Sequence, residues 1–148
     1  MDEKAEILYL ENQLCFPLYA ASRLITQIYT PLLNELGVTY PQYLVLMVLW
    51  RDKEQTVNEI CTKLLLESNT ITPLLKRMEQ KRIISRRRSD ADERIVIISL
   101  TSEGEALKQK ALTIPEKIIA SVNDDSISHE EILHFKDTLN KLITALSK

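Results

Sequence analysis

The chain has 148 residues, 45% of them hydrophobic, with 19 Lys and Arg against 21 Asp and Glu, a size that supports one domain with a real core. No window approaches the roughly 18 uncharged apolar residues of a membrane span, and the start Met1-Asp2-Glu3-Lys4 lacks the basic stretch of an export signal, so the chain reads as soluble and cytoplasmic. Two cysteines, Cys15 and Cys61, cannot build a disulfide framework, and two glycines, Gly37 and Gly104, exclude the Gly-rich phosphate loops of Rossmann and P-loop enzymes.

Apolar side chains at Leu18, Ile25, Ile28, Leu32, Leu33 and Leu36 predict a long helix over 18–36. Pro31 cannot donate to the carbonyl of Gln27, so a break or kink is expected near Thr30, with Gly37 ending the second piece. Pro41 suits the first turn of the next helix, which runs through Leu44, Val45, Met47, Val48 and Leu49 to about Asp52 and is apolar enough to be the centre of the core. Thr56 and Glu59 make a capping box, after which Val57, Ile60, Cys61 and Leu64 share one face of a short helix. A turn at Leu65-Leu66-Glu67 leads into a helix from Ser68 to Gln80. Ile71, Leu74, Leu75 and Met78 form its buried stripe and leave Asn69, Thr72, Lys76 and Gln80 facing outward. The pair is a helix-turn-helix.

Ile83 to Arg88 and Arg94 to Leu100 are rich in β-branched residues and are joined by Ser89-Asp90-Ala91-Asp92-Glu93, which predicts a β-hairpin with a charged tip. Thr101 and Ser102 open a helix that Pro115 should kink, and Ser128 with Glu131 caps a last helix. The stripe of that last helix is Ile132, Phe135, Leu139, Leu142, Ile143 and Leu146. The fold class is mainly α with a small β-hairpin wing, a winged helix-turn-helix over about 55–100 in a single domain 1–148. Long terminal helices flank it over about 8–36 and 102–148. No internal repeat or low-complexity tract interrupts this order.

Charge is unevenly spread along these elements. From Lys76 to Arg94 eight basic residues face four acidic ones, so this stretch carries +4 while the remainder carries −6. A basic block on an acidic body is the footprint of a protein that meets phosphate with one face. The second helix of the pair fits a major groove, and the hairpin can reach phosphates or the neighbouring minor groove of double-stranded DNA. Ser68, Asn69, Thr70 and Thr72 are small hydrogen-bonding residues at the helix start, where base edges approach, and Lys76 and Arg77 are long enough for phosphates. Arg86 and Arg88 share a strand face. Arg94 stands at the wing, where an arginine suits a narrow minor groove, and Asp92 two residues earlier can orient its guanidinium. His129 and His134 do not share a helix face and no cysteine joins them, so neither a metal site nor another cofactor is expected.

The run Leu-Leu-Lys-Arg-Met-Glu-Gln from Leu74, followed by Ser-Asp-Ala-Asp-Glu-Arg and Ile-Ile-Ser-Leu-Thr up to Thr101, resembles the winged helix of MarR-type bacterial repressors. Leu10-Glu11-Asn12-Gln13-Leu14-Cys15-Phe16, with Tyr29-Thr30-Pro31-Leu32-Leu33 and Thr39-Tyr40-Pro41-Gln42-Tyr43, is similar to the organic-hydroperoxide-sensing branch of that family. The resemblance covers nearly the whole chain and is weakest after Pro115. It implies that Cys15 is a peroxide-sensing thiol with Tyr29 and Tyr40 as hydrogen-bonding partners, in a homodimer whose terminal helices dimerise.

Geometry bears on that implication independently. Fourteen residues of straight helix put Cys15 and Tyr29 about 21 Å apart, out of reach within one chain, yet their side chains point within roughly 40° of one direction. An antiparallel copy related by a twofold axis would bring Tyr29 of one subunit to Cys15 of the other. Tyr19, one turn after Cys15, should line the same pocket. All five tyrosines lie in the first 43 residues. Cys61 reads as a small buried hydrophobe among Val57, Ile60 and Leu64. Relatives with two sensing cysteines carry the second far later in the chain, so the one-cysteine mechanism is the better match.

Pro17 leaves two alternatives. At a first helical position it would set Cys15 just outside a helix N-terminus, where the dipole favours thiolate; in a helix that began earlier it would kink the chain and move Cys15. The function expected is a repressor of a pseudo-palindromic operator that leaves DNA when an organic hydroperoxide oxidises Cys15 and a small thiol, or another protein thiol, condenses with the product. Two other readings are a thiol peroxidase in which Cys15 turns over, and a MarR-type repressor released by a small aromatic ligand without redox chemistry. The wing, which a peroxidase does not need, argues against the first.

Overall fold

The structure, a computed structural model, describes residues 3–148. Met1 and Asp2, part of the start Met1-Asp2-Glu3-Lys4 read above, lie outside the described residues. The chain forms two compact units, one up to Ile114 and one from Pro115 to Lys148. The expected C-terminal helical segment over 102–148 is thus divided between them. No helix among the described residues is long and apolar enough to cross a membrane.

Two short 3-10 turns, Ala5–Leu8 and Leu10–Asn12, lead into α1 (Cys15–Asn34). The regular helix begins later than the expected 8–36, and the expected break near Thr30 does not occur. Pro31 lies inside α1 on an exposed face, so the carbonyl it deprives of a partner looks toward water and the helix continues through it. Pro17 is the third residue of α1, within the first turn, where an N–H would have no intrahelical partner in any case. Cys15 is therefore the first residue of the helix. Gly37, at φ 72°, ends the segment: its N–H donates to the Asn34 carbonyl at 3.1 Å and the Val38 N–H reaches back to Leu33 at 3.2 Å. That pair of bonds is a Schellman motif, and the positive φ is why glycine stands there.

Helix α2 (Tyr40–Asp52) starts from a capping box between Thr39 and Gln42, and its inner face, with Val45, Leu46 and Leu49 wholly buried, is the middle of the core. Its apolar content is not all inside, since Met47 is exposed and Val48 half-buried. Strand β1 (Gln55–Thr56) precedes α3 (Val57–Leu64), whose Thr56–Glu59 capping box forms as expected. Leu65 at φ 57° turns the chain into α4 (Ser68–Gln80), and Ile71, Leu74, Leu75 and Met78 are all buried beneath it. Cys61 is half-buried, not a core residue; Ile60, one position earlier, takes the inward place.

The hairpin consists of β2 (Ile84–Arg88) and β3 (Val96–Leu100), paired antiparallel from Ile84 opposite Leu100 to Arg88 opposite Val96. β1 adds a third strand against β3, with Gln55 opposite Ile98, giving the order β1-β3-β2. Two residues are too short for an alternating pattern to reveal, so the sequence does not announce this strand. Helix α5 (Ser102–Ala111) packs close under the wing: a Cβ on Gly104 would stand 2.1 Å from the Ile83 carbonyl oxygen, and the Trp50 indole N–H donates to the Gly104 carbonyl at 3.0 Å.

In place of the expected kink at Pro115 there is a break. α5 ends at Ala111 and a new helix, α6 (Ile114–Val122), takes Pro115 into its first turn. Helix α7 (His129–Leu146) starts from the expected Ser128–Glu131 box. None of its residues is buried, and its Phe135, Leu142, Ile143 and Leu146 are exposed.

Candidate functional site

The first turn of α4 buries Ile71 and turns its outer face to solvent. Ser68, Asn69 and Thr70 are exposed there, and Thr72 is half-buried at the edge of a cleft of about 260 Å³ between α4, the start of α3 and the wing. Lys76 and Arg77 are exposed further along α4. Asn58 and Thr56 line the same cleft and are not singled out by sequence periodicity, because what places them there is the three-stranded sheet.

The wing arginines differ in what they do. Arg86 lies opposite the buried Ile98 and its Nε sits 3.3 Å from the Glu79 carboxylate on α4, so it ties the wing to that helix. The Nε is itself buried and lacks a well-aligned acceptor. Arg88 donates to the Glu93 carbonyl at 2.8 Å and braces the tip. Arg87 pairs with Glu54 at 3.2 Å, and the other oxygen of that carboxylate accepts from the Ser99 hydroxyl. Asp92 grips Arg94 three ways: its carboxylate accepts from the Arg94 backbone N–H at 3.0 Å and from Nε and Nη2 at 3.1 Å each. The Arg94 side chain is nevertheless 91% exposed. It is an oriented, solvent-facing guanidinium. The same hydrogen bonds, side chain first and then backbone, hold the Asp92 carboxyl below the usual carboxylate range.

The thiol and the tyrosines occupy opposite ends of α1. Cys15 is exposed on its first turn. Tyr19, one turn on, is exposed with the Arg23 guanidinium 5.6 Å over its ring. Tyr29, near the far end, meets Tyr40 with ring centroids 4.9 Å apart, and Tyr43 at 5.9 Å. Tyr43 is buried and its ring lies against Trp50. It completes a cluster that helical spacing alone does not single out, since Tyr43 follows Tyr40 by three residues on a face that also carries core side chains. Burial raises the Tyr29 hydroxyl above the ordinary phenol range, with Tyr40 and Tyr43 adding to it; burial and then Tyr40 do the same to Tyr43. Both are therefore protonated hydrogen-bond donors near neutral pH. The structure brings Tyr29 and Tyr40 together, but Cys15 lies about 21 Å of straight helix away from Tyr29. Cys61 borders a surface groove beside Ser68 and Asn69. Among the described residues no group of three or more His, Cys, Asp or Glu is placed to hold a metal ion.

Comparisons with known proteins follow the same lines. The family described as transcriptional regulator SarA/Rot matches residues 27–111. The organic hydroperoxide resistance transcriptional regulator of Bacillus subtilis strain 168 is 47% identical over 146 residues, 99% of this chain and 97% of the relative. Among solved structures, reduced AbfR bound to DNA superposes with a TM-score of 0.80 at 38% identity, covering 98% of this chain and 99% of that one. Disulfide-formed AbfR has a TM-score of 0.65 at 39% identity, with 98% and 97% covered. AbfR is a protein of Staphylococcus epidermidis.

Proposed function

Because the chain belongs to the MarR-type winged-helix transcriptional regulators, in the branch of the organic hydroperoxide resistance regulators, we propose that it is a homodimeric DNA-binding repressor that senses organic hydroperoxides through Cys15. The observation that carries this reading is an exposed Cys15 on the same helix as Tyr29, in a chain whose relatives include a hydroperoxide resistance regulator and DNA-bound reduced and overoxidised AbfR.

On DNA, the start of α4 enters the major groove with exposed Ser68, Asn69 and Thr70 and half-buried Thr72, while Lys76 and Arg77 lie on flanking phosphates. Arg94, braced by Asp92, reaches the minor groove. Arg86 and Arg88 take supporting places: their present partners, Glu79 and the Glu93 carbonyl, make them fix the wing first and meet phosphate second. A twofold-related copy antiparallel along α1 supplies the contact that one chain cannot make, setting Tyr29 and Tyr40 of one subunit beside Cys15 and Tyr19 of the other. Large apolar side chains exposed on α1, Leu18, Leu24 and Ile25, give that second copy a surface to cover.

The Cys15 thiolate attacks one oxygen of the peroxide bond. The S–O bond forms, the O–O bond breaks, and the departing alkoxide takes a proton and leaves as an alcohol, which makes a sulfenic acid. A small thiol then condenses with it, forming a disulfide and releasing water. Phenol donors favour the charged form of the thiol, and a bulky adduct at the shared pocket shifts the two winged helices away from successive major grooves, which lie about 34 Å apart. The thiol is spent once per release rather than turned over.

Operator binding measured before and after hydroperoxide treatment, with the mass of each cysteine peptide, tests this. Cys15→Ser should bind the operator and ignore peroxide, whereas Cys61→Ser should still release it. A Cys61→Ser protein that alone loses the response would move the sensor to the α3–α4 groove. Release of Cys15→Ser by peroxide would remove Cys15 from the mechanism.

A further inference from the structure

The basic stretch from Lys76 to Arg94 contains one exposed lysine whose ammonium is bonded back onto the fold. Lys81 is the C-cap residue of α4, and its N–H donates to the Arg77 carbonyl. Its Nζ turns back toward the core, donating to the Gly37 carbonyl at 2.8 Å and to Gln42 Oε1 at 2.9 Å. Gln42 is 2% exposed, a buried amide in an otherwise apolar face of α2, and its Oε1 also accepts from the Thr39 N–H at 3.1 Å. One oxygen thus serves both the helix cap of α2 and the ammonium of Lys81. Tyr40 follows Thr39 and Tyr43 follows Gln42 in this joint, and their rings form the cluster with Tyr29. On its far side the chain is pinned again: the Thr101 hydroxyl donates to the Arg82 carbonyl at 2.6 Å, and the Thr101 N–H donates to Ile83 at 3.1 Å.

We infer that Lys81 is a positioning residue that ties the end of the recognition helix to the tyrosine-bearing start of α2, so that movement of the tyrosines when Cys15 is oxidised is carried to α4. This rests on the redox reading above and adds the mechanical link it requires. The cost of breaking the joint falls on the Gln42 amide, which is buried and loses a charged donor if α2 shifts away from Lys81, whose own ammonium water can reach. The recognition helix therefore follows α2. Two oxygens of the fold already occupy the Lys81 ammonium, which sets it apart from Lys76 and Arg77 although it too is exposed.

The test uses the full-length protein and an operator duplex. Wild-type protein is expected to lose operator affinity on oxidation by a factor of roughly 5–150. Lys81→Met keeps the length of the side chain and removes the donor. It should bind the operator in the reduced state with wild-type affinity and an unchanged dependence on salt, and it should oxidise fully at Cys15 by mass. Its release factor should fall toward one. Gln42→Met breaks the joint from the other end and should show the same loss, while Gln42→Glu, which keeps an acceptor for both donors, should respond like wild type. Full release by folded Lys81→Met or folded Gln42→Met overturns the proposal. So does a salt slope lowered by about one in Lys81→Met, which would make Lys81 a phosphate contact. Wild-type protein that oxidises at Cys15 yet holds its operator overturns the redox reading as well, and that failure is seen before any variant is made.

Discussion

Arg94 and Asp92 illustrate how much a single side chain owes to its immediate neighbours. A wing-tip arginine free to rotate would lose its rotamer freedom on meeting DNA; the Asp92 carboxylate fixes the fork beforehand while leaving the outer face open. As a surface ion pair it adds little to folding stability, so its use lies in orientation. Arg94→Ala should weaken operator binding and lower the slope of log affinity against log salt by about one, read by gel shift at several salt concentrations. An unchanged slope would take the wing out of the interface. The pH dependence has a definite sign. Asp92 is held below its usual range, so its contribution is complete above the ordinary carboxylate value, about 3.9, and disappears only as pH falls through the lower folded value. The contribution of Asp92 to operator affinity should therefore be constant between about pH 6 and 8, and Asp92→Asn should weaken binding equally across that range.

Helix α5 and the wing form a contact whose tolerance is set by backbone, not side chains. A methyl group at Gly104 would meet the Ile83 carbonyl oxygen at 2.1 Å, and Ile83 is itself pinned by the Thr101 N–H, so neither partner can yield cheaply. The Gly104 carbonyl also receives the buried Trp50 indole N–H, which joins α2 to the same point. Gly104→Ala should cost about 3 kcal/mol or more, the upper end of overpacking in a closed core, and appear as a lower urea midpoint with an unchanged slope. A cost under about 0.5 kcal/mol, the size typical of surface changes, would mean that α5 can retreat from the wing.

At the scale of the whole molecule, one chain leaves too much apolar surface exposed to be the working unit. Leu14 is 85% exposed, and Tyr19 and Leu24 on α1 are open to solvent, as are Phe135, Leu142 and Ile143 on α7. A shared sensor across two copies can be tested by mixing lesions. In a heterodimer of Cys15→Ser and Tyr29→Phe subunits, a trans arrangement puts both lesions in one pocket and leaves the other whole. The surviving Cys15 should then react with hydroperoxide at the wild-type rate, followed by mass against time. Oxidation as slow as in the Tyr29→Phe homodimer would place Tyr29 with the thiol of its own chain.

Much of this protein could be read from residue order. Capping boxes at Thr56 and Ser128, the apolar stripe of α4, and the turn-forming 89–93 loop depend on neighbours within a few residues, so the helix-turn-helix, the wing and the last helix were all legible. So was the contact of Asp92 with Arg94, through their spacing, whereas the sensing roles of Cys15 and Tyr29 are implied by family resemblance and belong to the proposed function. Tertiary structure decided what local rules leave open. Pro31 is tolerated inside α1 because its face is exposed, whereas Pro115 begins a new helix; the same residue type gives two outcomes because solvation and position in the helix differ. β1 exists only because β3 is beside it, and Ile60 rather than Cys61 turns inward because α3 is rotated by its packing. Lys81 is the sharpest case. Its charge groups it with the arginines proposed to meet phosphate, but partners 44 and 39 residues away, Gly37 and Gln42, bond its ammonium back to the fold, and contacts across such separations are set only when the chain has folded.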